Sequence, residues 1–391
     1  MKWNQLLSIF TLSHALFQII SAEKLKIVCY YFSEAYDRSG NGSYDISNID
    51  PKLCTHLIYK YVDLTTLGEI LLRDDRIDKF NMNYFNGLKV INPKLKTLVA
   101  IGGYNAGVTT FSIVAESKSI RAKFVQNALK FVQINNFDGI DFVWEYPTQR
   151  GGKPEDKKNF IELLKETKTV FATHGLLVST VVSPLASVVE QAYNVPYLNK
   201  YVDFINVRTF DFHNYTEGVV DHHAPLYPRI DTSSRYESIQ FCVEYAINNW
   251  ISLGADKKKL ILGIPFYGRG FTLKSIVDKS VGAASIGPSK SGPYTDDKGY
   301  LGYNEIMEMG YREAFWEYIW DDVQKVPHTN REDQWIGYDD ERSVRIKTLF
   351  ALENKLGGVM AWGIDTDDFR GSSGKINPLL NTIYDVMKTH I

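Results

Sequence analysis

The chain has 391 residues, 44% of them hydrophobic, and a formal net charge of -2 at pH 7. That length suits one large domain, and the ordinary apolar content excludes a disordered or fibrous chain. A near-neutral balance with no block of like charge implies no polyanion partner, nucleic acid included.

Residues 1–22 carry Lys2, an apolar run over 6–20 and the small residues Ser21-Ala22, just before Glu23-Lys24. This is the anatomy of a secretory signal peptide, so the mature protein is expected to be secreted. The run is short for an anchor and lacks a basic cytoplasmic flank. No later run approaches the roughly 18 apolar residues of a membrane span. Of three cysteines, Cys29, Cys54 and Cys242, an oxidising compartment is expected to bridge one pair and leave one thiol over. The sequons at Asn41 and Asn214 are candidate glycosylation sites.

Short β-branched apolar runs predict strands over 25–31, 55–61, 96–103, 137–145, 176–183, 202–208, 260–266 and 357–362. Amphipathic stretches between them, such as 120–134 and 157–173, predict helices. Strands that read as continuous apolar runs are parallel and buried on both faces. Eight of them argue for a (β/α)8 TIM barrel, with an open doubly wound sheet as the alternative. The gap between the seventh and eighth is too long for one crossover. The segment 268–338, rich in Gly, Pro, Ser and aromatics, looks like an inserted α+β subdomain, which leaves the barrel to 23–267 and 339–391.

The fourth predicted strand runs into Asp138-Gly139-Ile140-Asp141-Phe142-Val143-Trp144-Glu145-Tyr146-Pro147. Side chains alternate along a strand, so Asp141, Val143 and Glu145 point the same way. Acids spaced by two make a catalytic array in which an end Glu donates a proton and its neighbours tune it. Val143 interrupts that array. Other motifs follow in order at or near strand ends: Cys54-Thr55-His56-Leu57-Ile58-Tyr59, Leu98-Val99-Ala100-Ile101-Gly102-Gly103, Asp203-Phe204-Ile205-Asn206, Leu262-Gly263-Ile264-Pro265-Phe266-Tyr267-Gly268-Arg269 and Gly357-Gly358-Val359-Met360-Ala361-Trp362.

With these motifs the chain resembles the family 18 glycoside hydrolases, the chitinases and chitinase-like lectins, whose signature reads Asp-Gly-x-Asp-x-Asp-x-Glu. The resemblance implies substrate-assisted hydrolysis, in which the sugar's N-acetyl oxygen attacks the anomeric carbon while a Glu protonates the leaving oxygen. Glu145 takes the acid's position and Asp141 that of a supporting carboxylate. The Asp that holds the acetamido N–H falls on Val143, and the Tyr that orients the acetamido oxygen falls on Phe210. The resemblance also implies sugar contacts at Tyr30, Tyr146, Asp211, Tyr267, Arg269 and Trp362, with Tyr104 in the place of a cleft Trp. Two further cleft Trp positions fall on Glu34 and Thr216, where a one-residue slip brings Tyr36 near the first. A bridge between the first two strands, Cys29 to Cys54, is implied as well. Cys242, in the helical pattern Ile239-Gln240-Phe241-Cys242-Val243, reads as a buried thiol.

The resulting expectation is a secreted monomeric chitinase-like protein with no cofactor and no metal. It binds chitooligosaccharides or other N-acetylglucosamine glycans, with hydrolysis lost or strongly reduced. The alternatives are a slow chitinase or endo-N-acetylglucosaminidase using Glu145, and a growth-factor-like signalling protein. Alternation also turns Asn206, Arg208 and Phe210 inward. A buried arginine needs a carboxylate partner; Glu145 and Asp141 are the nearest, unless Arg208 extends past the rim to an acid of the insertion or to water. His222-His223 lacks a third ligand at usable spacing for metal. Gly102-Gly103 reads as a tight barrel turn, since no Gly-Lys-Ser/Thr run follows.

Overall fold

A computed structural model describes residues 25–229, 239–312 and 315–391. The signal peptide expected over 1–22 lies outside them. Eight parallel strands form the core: β1 (Lys26–Phe32), β2 (His56–Leu64), β3 (Lys96–Gly102), β4 (Gly139–Val143), β5 (Leu177–Val182), β6 (Phe204–Val207), β7 (Leu260–Pro265) and β8 (Gly358–Trp362). Each pairs with the next in sequence. β1 pairs with both β2 and β8, with Tyr30 opposite Trp362, and this closes the sheet. The open-sheet alternative is thereby excluded and the fold is a (β/α)8 barrel.

The burial of the strands explains the apolar runs. On β4 every residue is buried, and alternation sends Phe142 and the following Trp144 outward. There Trp144 stacks on Phe111 of the helix Thr109–Glu116 at 5.2 Å, and Phe142 meets Phe124 of the helix Lys118–Ile134 at 5.9 Å. Asp141 and Val143 therefore turn into the barrel, and Glu145 follows them at its C-terminal mouth. The Cys29–Cys54 disulfide ties β1 to the residues entering β2. Cys242 is buried at the N-terminus of the helix Val243–Ser252, one residue before the helix that its apolar pattern suggested. Its thiol is pushed up to about 11 by burial.

Between β7 and β8 a second, six-stranded antiparallel sheet is built around the strand Tyr267–Leu273. That strand pairs with Ser285–Pro288, Tyr300–Gly302 and Gln334–Gly337, and the hairpin through Val326–Arg331 and Glu317–Asp321 completes the sheet. It starts two residues after β7 ends, so Tyr267 and Arg269 stand beside the barrel mouth. At the end of β3, Gly103 has φ +93°, and a Cβ there would lie 2.7 Å from the Tyr61 ring. Glycine at this position allows the left-handed turn and the close packing of the loop above β3.

Candidate functional site

A cavity of about 700 Å³ opens at the C-terminal ends of the strands, where barrel sites are built. Beneath it lies Asp141, fully buried. It accepts hydrogen bonds from Tyr30 Oη at 2.7 Å, Ser179 Oγ at 2.6 Å and Asn206 Nδ2 at 3.4 Å. Burial pushes its carboxyl up to about 7, with the three donors opposing the rise.

Glu145 reaches the cavity wall and is 4% exposed. Its Oε2 accepts from Arg208 Nη1, and Arg208 Nη2 donates to Asp211 Oδ2 at 2.9 Å. Asp211 in turn accepts from Arg269 Nε at 2.8 Å and from Tyr267 Oη at 2.9 Å, with His223 Nδ1 at 3.6 Å. Glu145, Arg208, Asp211 and Arg269 thus form one continuous chain of alternating charge across the cavity floor. Burial raises the Asp211 carboxyl, but Arg269, His223 and Arg208 together hold it well below the usual range. Its backbone sits at φ +59°, a left-handed conformation that Asp tolerates better than most residues. Each of these carboxylates, Glu145 and Asp211, accepts the hydrogen bonds of its arginine partners.

The aromatic floor is Trp362, 5% exposed. Tyr30 packs against it at 4.5 Å, Phe32 at 5.6 Å and Phe210 at 5.7 Å. Two cations also face this ring: the Arg208 guanidinium at 5.2 Å and the Lys60 ammonium at 5.4 Å from its centroid. Val143 is fully buried and Phe210 is 1% exposed. Neither offers a polar atom to the cavity.

Tyr104, Tyr146, Asp211, Tyr267, Arg269 and Trp362 all line the cavity together with Glu145 and Phe210. Tyr30 does not. It lies behind the wall with no exposure, because its ring sits under Trp362 and its hydroxyl is taken by Asp141 and Asn206. Of the two candidates in the first loop, Glu34 lines the cavity and Tyr36 stands outside it, 47% exposed. Thr216 lies off the cavity wall. Asn41 is exposed on the surface, and Asn214 is half-buried with its Oδ1 accepting from Thr216. His222 and His223 are both buried: His222 packs on Trp335 and His328, and His223 on Tyr267. Lys60, Arg73 and Arg150 also line the cavity, and sequence reasoning passed over all three. Lys60 carried a readable signal, a lysine inside the buried run Leu57-Ile58-Tyr59-Lys60-Tyr61-Val62. Arg150 carried none, since it sits in a loop whose course depends on the whole rim.

Residues 26–367 match the family described as Glycosyl hydrolases family 18. The chain belongs to this family. "Probable chitinase 2" of Drosophila melanogaster is 36% identical over 361 residues, spanning 88% of this chain and 73% of that protein. Among solved structures, the Group IV chitinase of Ostrinia furnacalis in complex with allosamidin has a TM-score of 0.91 at 38% identity. That match covers 94% of this chain and 99% of the insect chain. Human YKL-39, described as a pseudo-chitinase with retained chitooligosaccharide binding properties, has a TM-score of 0.87 at 34% identity, over 93% and 100% of the two chains. Family 18 therefore holds both chitinases and a pseudo-chitinase among the near structural relatives of this chain.

Proposed function

We propose that this family 18 protein is a secreted, non-hydrolytic binder of N-acetylglucosamine-containing glycans. The observation that carries the reading is the ion-paired state of Glu145, held by Arg208 in a cavity where Val143 and Phe210 supply no polar group. Family 18 hydrolysis needs a proton on this Glu and polar contacts to the acetamido group. Loss of one preorganised contact of that kind costs about 10²–10³ in rate. The two missing contacts act on the same group, so their losses need not multiply. The cavity still offers Trp362, Tyr104, Tyr146 and Tyr267 as flat faces and Asp211 and Arg269 as polar ones, the combination that suits pyranose rings. Similarity to YKL-39 supports retained oligosaccharide binding. Secretion is supported by the Cys29–Cys54 disulfide.

Calorimetry with chitotetraose tests the binding half of the reading. The wild type is expected to bind, and Trp362→Phe, which keeps a ring in the barrel but shortens the floor, is expected to weaken binding about tenfold or more. No heat of binding by the wild type to chitotetraose or to any other N-acetylglucosamine-containing oligosaccharide would overturn the reading and leave the signalling alternative.

A further inference from the structure

The cavity wall is dense in charged side chains of both signs. Six cations line it against four carboxylates among the described residues. Most of the cations are cancelled. Arg208 and Arg269 are tied to Glu145 and Asp211, while Arg38 and Arg73 are tied from behind by Asp365 and Asp63. Lys60 and Arg150 are held differently.

The Lys60 ammonium sits 3.0 Å from the Phe32 centroid and 4.5 Å from that of Tyr61, besides facing Trp362. Its carboxylate contact is Glu34 at 3.5 Å, whose side chain is 55% exposed. The Arg150 guanidinium lies 3.8 Å over the Tyr104 ring and donates to the carbonyls of Tyr104 and Glu145. Aromatic faces and carbonyls stabilise a cation without neutralising it. Both charges therefore remain available to an anion entering from the cleft, on the side built by the ends of β2 and β4. Burial lowers the Lys60 ammonium to about 8, with Glu34, Asp365 and Glu145 opposing the fall.

Resting on the glycan-binding reading above, we propose that the cleft selects acidic glycans: N-acetylglucosamine-containing oligosaccharides that bear a carboxylate or a sulfate, recognised by Lys60 and Arg150. A neutral chitooligosaccharide has no group to engage these two charges.

The test is calorimetry with three tetrasaccharides: chitotetraose, its 6-O-sulfated form, and one alternating N-acetylglucosamine with glucuronic acid. At least one acidic probe is expected to bind about tenfold more tightly than chitotetraose at low salt, equivalent to about 1.4 kcal/mol. That preference is expected to shrink as salt is raised. Lys60→Met and Arg150→Ala are each expected to reduce it several-fold, read as the ratio of acidic-probe to chitotetraose affinity within the same variant. Whichever acidic probe gains identifies the anion as carboxylate or sulfate. Arg150 is exposed, so its variant and the wild-type salt series decide the matter even if Lys60→Met fails to fold. Equal or tighter binding of chitotetraose, or a preference untouched by salt, overturns the acidic selectivity and leaves the binding reading standing. Failure of all three probes to bind overturns both.

Discussion

Arg208 donates to Glu145 from one guanidinium nitrogen and to Asp211 from another, so a single side chain holds both carboxylates of the cavity floor. The arginine side chain is 15% exposed and Glu145 only 4%, which makes this a partly desolvated ion pair. Such pairs are costly to break from one side, because the remaining charge is stranded.

Arg208→Met should therefore destabilise the fold by about 3 kcal/mol at neutral pH. Adding Glu145→Gln should recover most of that loss. Urea denaturation of the wild type, both single variants and the double variant measures the coupling. Additive effects would mean that the pair contributes nothing beyond its separate side chains.

The barrel was legible in the sequence because each strand is buried on both faces and so reads as an unbroken apolar run. Arg208 was legible for the same reason, as a charge where none belongs, and the structure pairs it with Glu145 and not Asp141. Asp141 is already supplied by Tyr30, Ser179 and Asn206. Lys60 offered the same signal but was absorbed into its strand. Tyr30 was expected on the wall, and nothing in its own strand reveals that Trp362, over 300 residues later, lies above it. The insertion was visible as a gap too long for a crossover and as a change in composition, but its sheet was not. Its strands, such as Ser285–Pro288 and Val326–Arg331, are short and polar, and periodicity cannot find strands of that kind.

Asp141 gives a pH signature. Its folded carboxyl keeps a proton up to about 7, while an unfolded aspartate releases its own near about 3.9. Between those values the folded state binds more protons. The contribution is thus fully present at the acid end and is lost as pH rises to about 7. Relative to Asp141→Asn, the wild type should lose stability across this window, with a slope of up to about 1.4 kcal/mol per pH unit. Denaturation midpoints of both proteins from pH 4.5 to 7.5 check this. Parallel curves would show that Asp141 is ionised throughout.

The Cys29–Cys54 bridge closes a loop of 25 residues between the first two barrel strands. On chain-entropy grounds its removal by paired Cys→Ser substitution should cost about 3–4 kcal/mol. Thermal unfolding of the two forms measures the loss. An unchanged midpoint would mean that packing of β1 between β2 and β8 alone fixes this corner.

The most direct test of the account is turnover of a fluorogenic chitotrioside, measured beside a family 18 relative that cleaves it in the same assay. The wild type should release product at least about 10²-fold more slowly, in line with the loss of one preorganised contact. Val143→Asp with Phe210→Tyr should raise the rate more than either change alone, and further once Arg208→Met frees Glu145. Wild-type turnover within about tenfold of the relative, a gap of only about 1.4 kcal/mol in barrier, would show that Glu145 still works as an acid and contradict the non-hydrolytic reading.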